Sequence, residues 1–379
     1  MRMVIQRQRL REHIARLLEQ FRGVLLVGPR QVGKTTLART FLPAAAPAYF
    51  DLEDPAVAAQ FTAPKDVLEG LRGLIVIDEV QLVPHLFPLL RVLMDREKSP
   101  AKFLLLGSAS MPLLRQGAES LLGRIAVIEV NGFDLDEVGT NRTRTLWQRG
   151  GYPLSFLAAD EAQSIEWRDR FIEVFLQRDL PQLGINVAAP AMRRFWMMLT
   201  HYHGQTWNAA DPARSLGVNE STVRRYLDWL TQTFMVRQLQ PWYENLGKRQ
   251  VKSPKIYFRD TGLLHALMDV RTEADLVRHP RSGASWEGFA LEQVLRITQP
   301  DQAYFWATHT GAELDLLMFK HGKRIGVEFK RIDAPTLTPS MRIAMGDLKL
   351  DALYVVYPGT RRYALAKQIE AVPLNSLIP

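Results

Sequence analysis

Cysteine is absent from all 379 residues of the chain. Disulfide bonds, zinc sites built on thiolates and cysteine nucleophiles are therefore excluded together. Long apolar runs are missing as well, since none approaches the roughly 18 residues that a membrane-spanning helix needs. Residues 1–20 carry charge throughout and contain no apolar signal-peptide core. From these absences we expect a cytoplasmic protein that makes no membrane contact.

The composition is that of an ordinary globular protein, with 47% hydrophobic and 23% charged residues. A chain of this length predicts two or three domains, each able to bury its own core. The formal net charge is +8, and this excess of cations favours a polyanionic partner such as nucleic acid.

A glycine-rich loop lies near the amino terminus, where residues 28–36 read GPRQVGKTT. They match the phosphate-binding pattern G-x-x-x-x-G-K-[ST], between an apolar strand at 24–27 and a helix continuing from Leu37. Backbone N–H groups of such a loop wrap a polyanion, the lysine reaches the β- and γ-phosphates, and the following hydroxyl ligates Mg²⁺. The pattern predicts ATP and Mg²⁺ as cofactors, held by Gly28, Pro29, Arg30, Gln31, Val32, Gly33, Lys34, Thr35, Thr36 and Asp78.

Two carboxylates follow a second apolar strand, in the segment LIVIDE at 74–79. A buried parallel strand delivers both acids to its carboxyl end, where ligands bind in open α/β sheets. We expect Asp78 to share the Mg²⁺ with Thr35, and Glu79 to orient or deprotonate the attacking water. Further apolar runs at 48–50, 103–106 and 125–130 alternate with helical stretches, which predicts a parallel α/β sheet.

Several motifs resemble a large bacterial and archaeal family of AAA-type ATPases that carry a C-terminal domain of unknown function. In the first third they are GPRQVGKTT, DLEDP at 51–55, LIVIDEVQ at 74–81, LLLGSAS at 104–110 and ESLLGR at 119–124. The segments LWQRGGYP at 146–153, QRDLP at 177–181 and RDTGLL at 259–264 extend the resemblance over nearly the whole chain.

The resemblance implies roles that the residues alone leave open. Ser108 would sense the γ-phosphate, although a serine after glycine is also common turn chemistry. Arg124 would be an arginine finger acting on a neighbouring subunit, with Arg115 as second choice and a solvated helix end as the alternative. A homo-oligomer, most simply a hexameric ring, follows from such a finger. A helical lid would supply a second sensing arginine from among Arg149, Arg168, Arg170 and Arg178.

Residues 213–230 predict a helix-turn-helix, with Gly217 in the turn, Asn219 capping the second helix and Val218 on its inner face. Strands predicted at 234–239 and 255–258 flank a basic stretch, which together give a winged-helix pattern. We interpret the basic stretch, including Lys255, as a wing that contacts DNA phosphates; packing against other domains is the alternative. The candidate DNA contacts are Arg224, Arg225, Lys248, Arg249 and Lys252.

The last third predicts strands at 303–308, 312–319 and 324–330, with His321 and Gly322 forming a two-residue hairpin turn. That turn places Asp315 opposite Glu328 and Glu313 opposite Lys330. Paired carboxylates beside a lysine predict a Mg²⁺ site.

The same residues resemble the PD-(D/E)XK nuclease fold. The resemblance assigns Glu287 as the helix acid, Asp315 as the strand acid, and Glu328 and Lys330 as the E-x-K element, with the lysine positioning water. A surface ladder of paired charges, on a fold kept for DNA binding or assembly, is the alternative.

The expected architecture is α/β, with an AAA-type ATPase core at 1–133, a helical lid at 134–189, a winged-helix domain at 190–269 and a nuclease-like domain at 270–379. The expected function is Mg-ATP hydrolysis by an oligomer that binds or remodels DNA, including branched DNA such as four-way junctions. The alternatives are an ATP-gated, metal-dependent endonuclease and a regulatory ATPase that binds a protein partner.

Overall fold

The computed structural model describes residues 5–42, 48–96, 101–108, 121, 123–244 and 250–378, and elements are numbered over these residues. The chain forms two compact units, one of residues 1–132 with 232–234, the other of residues 133–231 with 235–379. The division at residue 132 lies one residue before the predicted end of the ATPase core. The four predicted domain ranges otherwise stay predictions.

The first unit is built on a five-stranded sheet in the order β2-β3-β4-β1-β5, and every neighbouring pair is parallel. Its apolar runs are covered on both faces, as in β1, where all five residues are buried. The predicted parallel α/β sheet is therefore confirmed. Its strands are β1 Gly23–Val27, β2 Ala48–Asp51, β3 Gly73–Asp78, β4 Ala101–Gly107 and β5 Ile125–Glu129.

Helices cover this sheet and fill its core with large apolar side chains such as Phe87 and Phe103. Asp54 caps the amino terminus of one helix by accepting a hydrogen bond from Ala56 N. The helices are α1 Gln8–Gln20, α2 Lys34–Arg39, α3 Pro55–Gln60, α4 Pro64–Leu68 and α5 Leu86–Met94, with a 3₁₀ turn at Val80–Leu82.

The second unit begins with a helical region, which covers the range 134–189 expected for the lid and extends to Leu199. Its helices are α6 Leu135–Val138, α7 Thr143–Arg149, α8 Pro153–Phe156, α9 Glu161–Val174, α10 Leu180–Gln182 and α11 Ala189–Leu199. The chain turns sharply between α7 and α8 at Gly150, whose φ is 77°, and Pro153 starts the next helix. A π-helical segment, Phe175–Asp179, joins α9 to α10.

A helix-turn-helix follows as predicted, formed by α12 Ala210–Leu216 and α13 Glu220–Gln232, with Gly217 between them at φ 67°. Val218 is 37% exposed rather than part of the inner face, because it lies in the turn before α13 begins. A three-stranded antiparallel sheet in the order β6-β8-β7 completes this region. Its strands are β6 Gln205–Thr206, β7 Val236–Leu239 and β8 Lys255–Phe258.

A six-stranded mixed sheet occupies the C-terminal region in the order β13-β14-β12-β11-β10-β9. The β10–β11 hairpin has the predicted turn, with His321 at φ 49° and Gly322 at φ 76°, and the predicted register from Lys320–Lys323 to Leu316–Val327. Strands β11, β12 and β14 are parallel to one another. The strands are β9 Gln302–Ala307, β10 Glu313–Lys320, β11 Lys323–Phe329, β12 Ala352–Tyr357, β13 Tyr363–Ala366 and β14 Ile369–Pro373.

The last four α-helices among the described residues belong to the C-terminal part of the second unit. They are α14 Thr261–Leu267, α15 Glu273–Arg278, α16 Ser282–Thr298 and α17 Pro339–Asp347. Side chains of Asp260, Thr272 and Thr338 cap three of them. None of the described helices is long and apolar enough to cross a membrane.

Candidate functional site

The glycine-rich loop joins the carboxyl end of β1 to the amino terminus of α2, and two of its glycines are required by geometry. Gly28 has φ 153°, and a Cβ there would lie 2.0 Å from the carbonyl oxygen of Val130. Gly33 has φ 90°, in the region that favours glycine. The loop backbone can therefore follow this path only with glycine at these two positions. Arg30, within the loop, forms an ion pair with Glu53 at 3.1 Å.

The ammonium of Lys34 lies inside this loop. It donates hydrogen bonds to the carbonyl oxygens of Gly28 at 2.9 Å and Pro29 at 2.8 Å. Burial lowers the pKa of Lys34 to about 8, although the charges of Glu79 and Asp78 oppose that change. Lys34 thus keeps its positive charge at neutral pH in the loop that is predicted to hold phosphate.

Asp78 and Thr35 are brought together across the sheet edge. The Thr35 hydroxyl donates to Asp78 Oδ2 at 2.7 Å, and the Tyr49 hydroxyl donates to the same oxygen at 2.9 Å. Burial raises the pKa of Asp78, while these two hydrogen bonds act in the opposite direction. A hydroxyl and a carboxylate in contact are the hard oxygen ligands that Mg²⁺ prefers, so the pair fits that ion.

Glu79 begins the turn after β3 on a left-handed backbone, with φ 53°. Its carboxylate accepts a hydrogen bond from the Ser108 hydroxyl at 2.5 Å through Oε1, and from the Gln81 amide through Oε2. A non-glycine residue in this conformation stores strain that recurs at functional sites. The structure therefore brings Glu79 and Ser108 together, at the carboxyl ends of neighbouring strands.

Two residues near this site had no recognisable signal in the sequence. Tyr49 reaches Asp78 because β2 pairs with β3 in parallel register, and the Arg39 guanidinium lies 4.7 Å from its ring centroid. Arg7 donates to the carbonyl oxygens of Val32 at 3.3 Å and Gly132 at 3.5 Å. Both contacts depend on the folded sheet rather than on any local pattern.

Arg124 lies at the amino-terminal end of the parallel strands, whereas the glycine-rich loop lies at their carboxyl end. It precedes β5, whose five residues run parallel to β1, so strand length alone separates the two by about 16 Å. Its guanidinium binds Asp95 through two contacts, Nε–Oδ1 at 2.5 Å and Nη2–Oδ2 at 2.8 Å. Arg124 is therefore remote from the loop of its own chain. Arg115 lies outside the described residues.

Comparisons with known proteins agree with this geometry. The family described as "AAA domain" matches residues 20–139, and two families described as domains of unknown function, DUF8612 and DUF4143, match residues 140–274 and 282–377. Uncharacterized protein Rv2008c of Mycobacterium tuberculosis is 48% identical over 376 residues, which is 99% of this chain and 85% of that protein. Uncharacterized protein Mb2031c of Mycobacterium bovis matches to the same extent.

The chain belongs to this family of P-loop AAA-domain proteins with a C-terminal DUF4143 domain. Among solved structures, the Walker-type ATPase paby2304 of Pyrococcus abyssi aligns over 70% of this chain and 96% of that chain, at 15% identity and a TM-score of 0.47.

The candidate lid arginines of the AAA-domain protein differ in how exposed their side chains are and in the contacts that they make. Arg168 is 1% exposed and donates to Glu161 and to the carbonyl oxygens of Ser164 and Gly262. Arg149 also binds Glu161, at 3.0 Å. The side chains of Arg168 and Arg149 therefore connect segments within the second unit. Arg170 and Arg178, in contrast, have mostly exposed side chains.

The candidate DNA contacts of the helix-turn-helix lie on its outer face. Arg224 and Arg225 are exposed, the first paired with Glu220 at 3.1 Å and the second 5.2 Å from the Trp229 ring centroid. Lys252 is exposed, whereas Lys248 and Arg249 lie outside the described residues. Lys255, counted with the wing on sequence, is 3% exposed because β8 directs its side chain into the acidic residues of the DUF4143 region.

The acid cluster there consists of Glu287, Asp315 and Glu328, which the fold does bring together. Burial and the charge of Asp315 raise the pKa of Glu287 to about 8 and that of Glu328 to about 8. Within the described ranges, no three or more His, Asp or Glu side chains are arranged to hold a metal ion. The predicted Mg²⁺ site at this cluster therefore lacks geometric support.

The expected pairing of Glu313 with Lys330 is wrong. The regular ladder stops at Leu316–Val327, and beyond it Phe329 N donates to Asp315 Oδ2 at 3.1 Å. Lys330 instead forms an ion pair at 2.9 Å with Glu328, two residues earlier in the chain, and Glu313 forms an ion pair with Lys255. A hairpin register extrapolated past the end of its ladder no longer assigns side-chain partners.

Proposed function

We propose that this AAA-domain protein hydrolyses Mg-ATP, assembles into a homo-oligomer, most simply a hexameric ring, and binds or remodels DNA, including branched DNA such as four-way junctions. One observation carries the hydrolysis proposal. Thr35 at the start of α2 contacts Asp78 at the end of β3, and Ser108 after β4 contacts Glu79 after β3. The pair proposed to bind metal and the pair proposed to activate water therefore lie side by side at the carboxyl ends of β3 and β4.

Each residue has a defined task in this proposal. Backbone N–H groups of residues 28–33 bind the phosphates, and the Lys34 ammonium exchanges its loop carbonyls for phosphate oxygens. Thr35 and Asp78 hold Mg²⁺, which when bound neutralises charge on the β- and γ-phosphates. Glu79, oriented by Ser108, accepts the proton of the attacking water.

Support for a DNA partner comes from charge. The chain carries a net +8, and Arg224, Arg225 and Lys252 are exposed in and beyond the helix-turn-helix. Exposed guanidinium and ammonium groups are what phosphate binding requires. In the proposed domain organisation, residues 190–269 contact DNA and residues 134–189 form the lid over the nucleotide.

Support for an oligomer comes from Arg124. It lies at the sheet edge remote from its own glycine-rich loop, so it can neutralise transition-state charge only in another subunit. Asp95 holds the guanidinium in place until a neighbouring nucleotide competes for it.

The proposal is tested by measuring ATP turnover alone and with single-stranded, duplex and four-way-junction DNA of equal nucleotide content. We expect turnover to rise with DNA, most with the branched substrate, and to be abolished in Lys34→Ala. If DNA leaves turnover unchanged and no DNA binding is detected even at low salt, the result would contradict a DNA partner and favour a protein partner instead.

A further inference from the structure

Lys255 is a buried lysine that neither the nucleotide site nor the proposed DNA contacts use. Its ammonium lies 3.3 Å from Asp315 Oδ1 and 4.0 Å from Glu287 Oε1, and it also forms an ion pair with Glu313. The Phe305 ring centroid is 5.5 Å away. Lys255 therefore lies among the carboxylates of the acid cluster, against an aromatic face.

The backbone that carries Lys255 is fixed on both sides. In β8, Lys255 pairs with Thr206 of β6 and with Leu239 of β7. Tyr257, two residues further along the same strand face, donates its hydroxyl to Glu287 Oε1 at 2.7 Å. A single strand thus presents a cation and a donor to the same carboxylates. An unpaired ammonium at this depth would be strongly destabilising, so its position depends on these acids.

Each acid of the cluster has at least one carboxylate oxygen bound to a protein donor. Asp315 uses Oδ1 for Lys255 and Oδ2 for Phe329 N, while Glu287 Oε1 contacts both Lys255 and Tyr257. Glu328 Oε2 binds Lys330. A Mg²⁺ ion needs such oxygens at about 2.0–2.1 Å in near-octahedral geometry, and the Lys255 ammonium already contacts those of Asp315 and Glu287.

We propose that the Lys255 ammonium is the resident cation of this acid cluster, taking the place of a divalent ion and keeping the cluster closed to metal-dependent DNA cleavage. The cluster then serves as a junction that ties β8 of the three-stranded sheet to β10, β11 and α16 of the DUF4143 region. This inference is independent of ATP hydrolysis.

The test is calorimetric titration of Mn²⁺, without nucleotide, into the full chain and into Lys255→Met. We expect no Asp315-dependent binding in the wild-type chain, and about one Mn²⁺ per chain in Lys255→Met, accompanied by a rise in its melting temperature. Adding Asp315→Asn to Lys255→Met should abolish that binding. Lys323→Met, which removes an exposed lysine from the adjacent hairpin, is the matched control and should behave as wild type.

Two results would overturn the inference. One is Mn²⁺ binding by the wild-type chain that Asp315→Asn removes, since the lysine would then not exclude the metal. The other is a folded Lys255→Met that takes up no Mn²⁺. If Lys255→Met does not fold alone, the combination Lys255→Met with Glu313→Gln, which removes one charge of each sign and keeps all three acids of the cluster, replaces it, with the same two outcomes. ATP turnover measured in the same variants separates this result from the proposed ATPase function.

Discussion

Glu79 combines a left-handed backbone, a hydroxyl partner and a position next to Asp78, which we propose holds Mg²⁺ together with Thr35. We predict that Glu79→Gln binds ATP with unchanged affinity but turns it over at least about a hundredfold more slowly, because the amide cannot take a proton from water. Nucleotide affinity and steady-state turnover together measure this. Glu69→Gln, an exposed change in the same domain, should match wild type. Unaltered turnover in Glu79→Gln would remove the residue from the mechanism.

His265 is a buried neutral histidine in a chain of hydrogen bonds in which each group donates to the next. Its Nδ1 donates to the Gln148 carbonyl oxygen at 2.9 Å, and its Nε2 accepts from the Ser285 hydroxyl at 2.7 Å, which itself accepts from Trp147 Nε1 at 3.0 Å. Burial lowers the pKa of His265 to about 3. Protonation would place a positive charge in this buried site and turn Nε2 from an acceptor into a donor, so the folded state resists it.

The sign of the resulting pH dependence follows from that lowered pKa. Below about pH 6.5 the unfolded chain binds a proton that the folded chain does not, so stability is complete above pH 6.5 and is lost as the pH falls towards 3. At pH 5 the loss is about 2 kcal/mol. We predict that melting temperature falls less steeply between pH 7 and pH 5 in His265→Gln, whereas exposed His309→Gln keeps the wild-type slope. Equal slopes in all three chains would contradict the argument.

At the scale of elements, the wing and the outer face of α13 form the proposed phosphate contacts. Reversing Lys248, Arg249 and Lys252 to glutamate should weaken binding to all DNA sequences alike and reduce the salt slope of affinity by about one unit per lost contact. Binding isotherms over a range of salt concentrations measure both effects. The control reverses three exposed lysines elsewhere, Lys323, Lys349 and Lys367, with the same change in net charge. If both triple variants lose affinity equally, binding depends on net charge and not on the wing.

Local sequence patterns predicted some structural elements correctly and did not predict others. The glycine-rich loop, the acidic end of β3 and the His321–Gly322 turn each depend on a few adjacent residues, and their structure agrees with the prediction. Strands β12 to β14, which complete the six-stranded sheet, and helix α17, which packs against it, were not predicted. Lys255 shows the limit best, because the nearest charged residues in the sequence, Lys252 and Arg259, are cations, whereas its charged neighbours in space are acids.

At the scale of the whole molecule, the proposed finger role of Arg124 would make activity a property of the assembly. Arg124 lies far from the glycine-rich loop of its own chain, so in this proposal a second subunit supplies the nucleotide on which it acts. Specific activity should therefore rise with protein concentration. A turnover rate per chain that stays constant down to concentrations where the protein is monomeric would contradict this role.

Mixing two inactive variants separates a finger acting between subunits from a simple loss of stability. Arg124→Ala chains keep Glu79 but lack the finger, whereas Glu79→Gln chains keep the finger but lack the base. In an equal mixture, about a quarter of the interfaces regain both groups, so turnover should return to a corresponding fraction of the wild-type rate. Arg91→Ala removes a neighbouring guanidinium that lies 3.9 Å from the same Asp95, and alone it should retain turnover. A mixture as inactive as its components, in a sample shown to be assembled, would leave Arg124 as a partner of Asp95 within one chain.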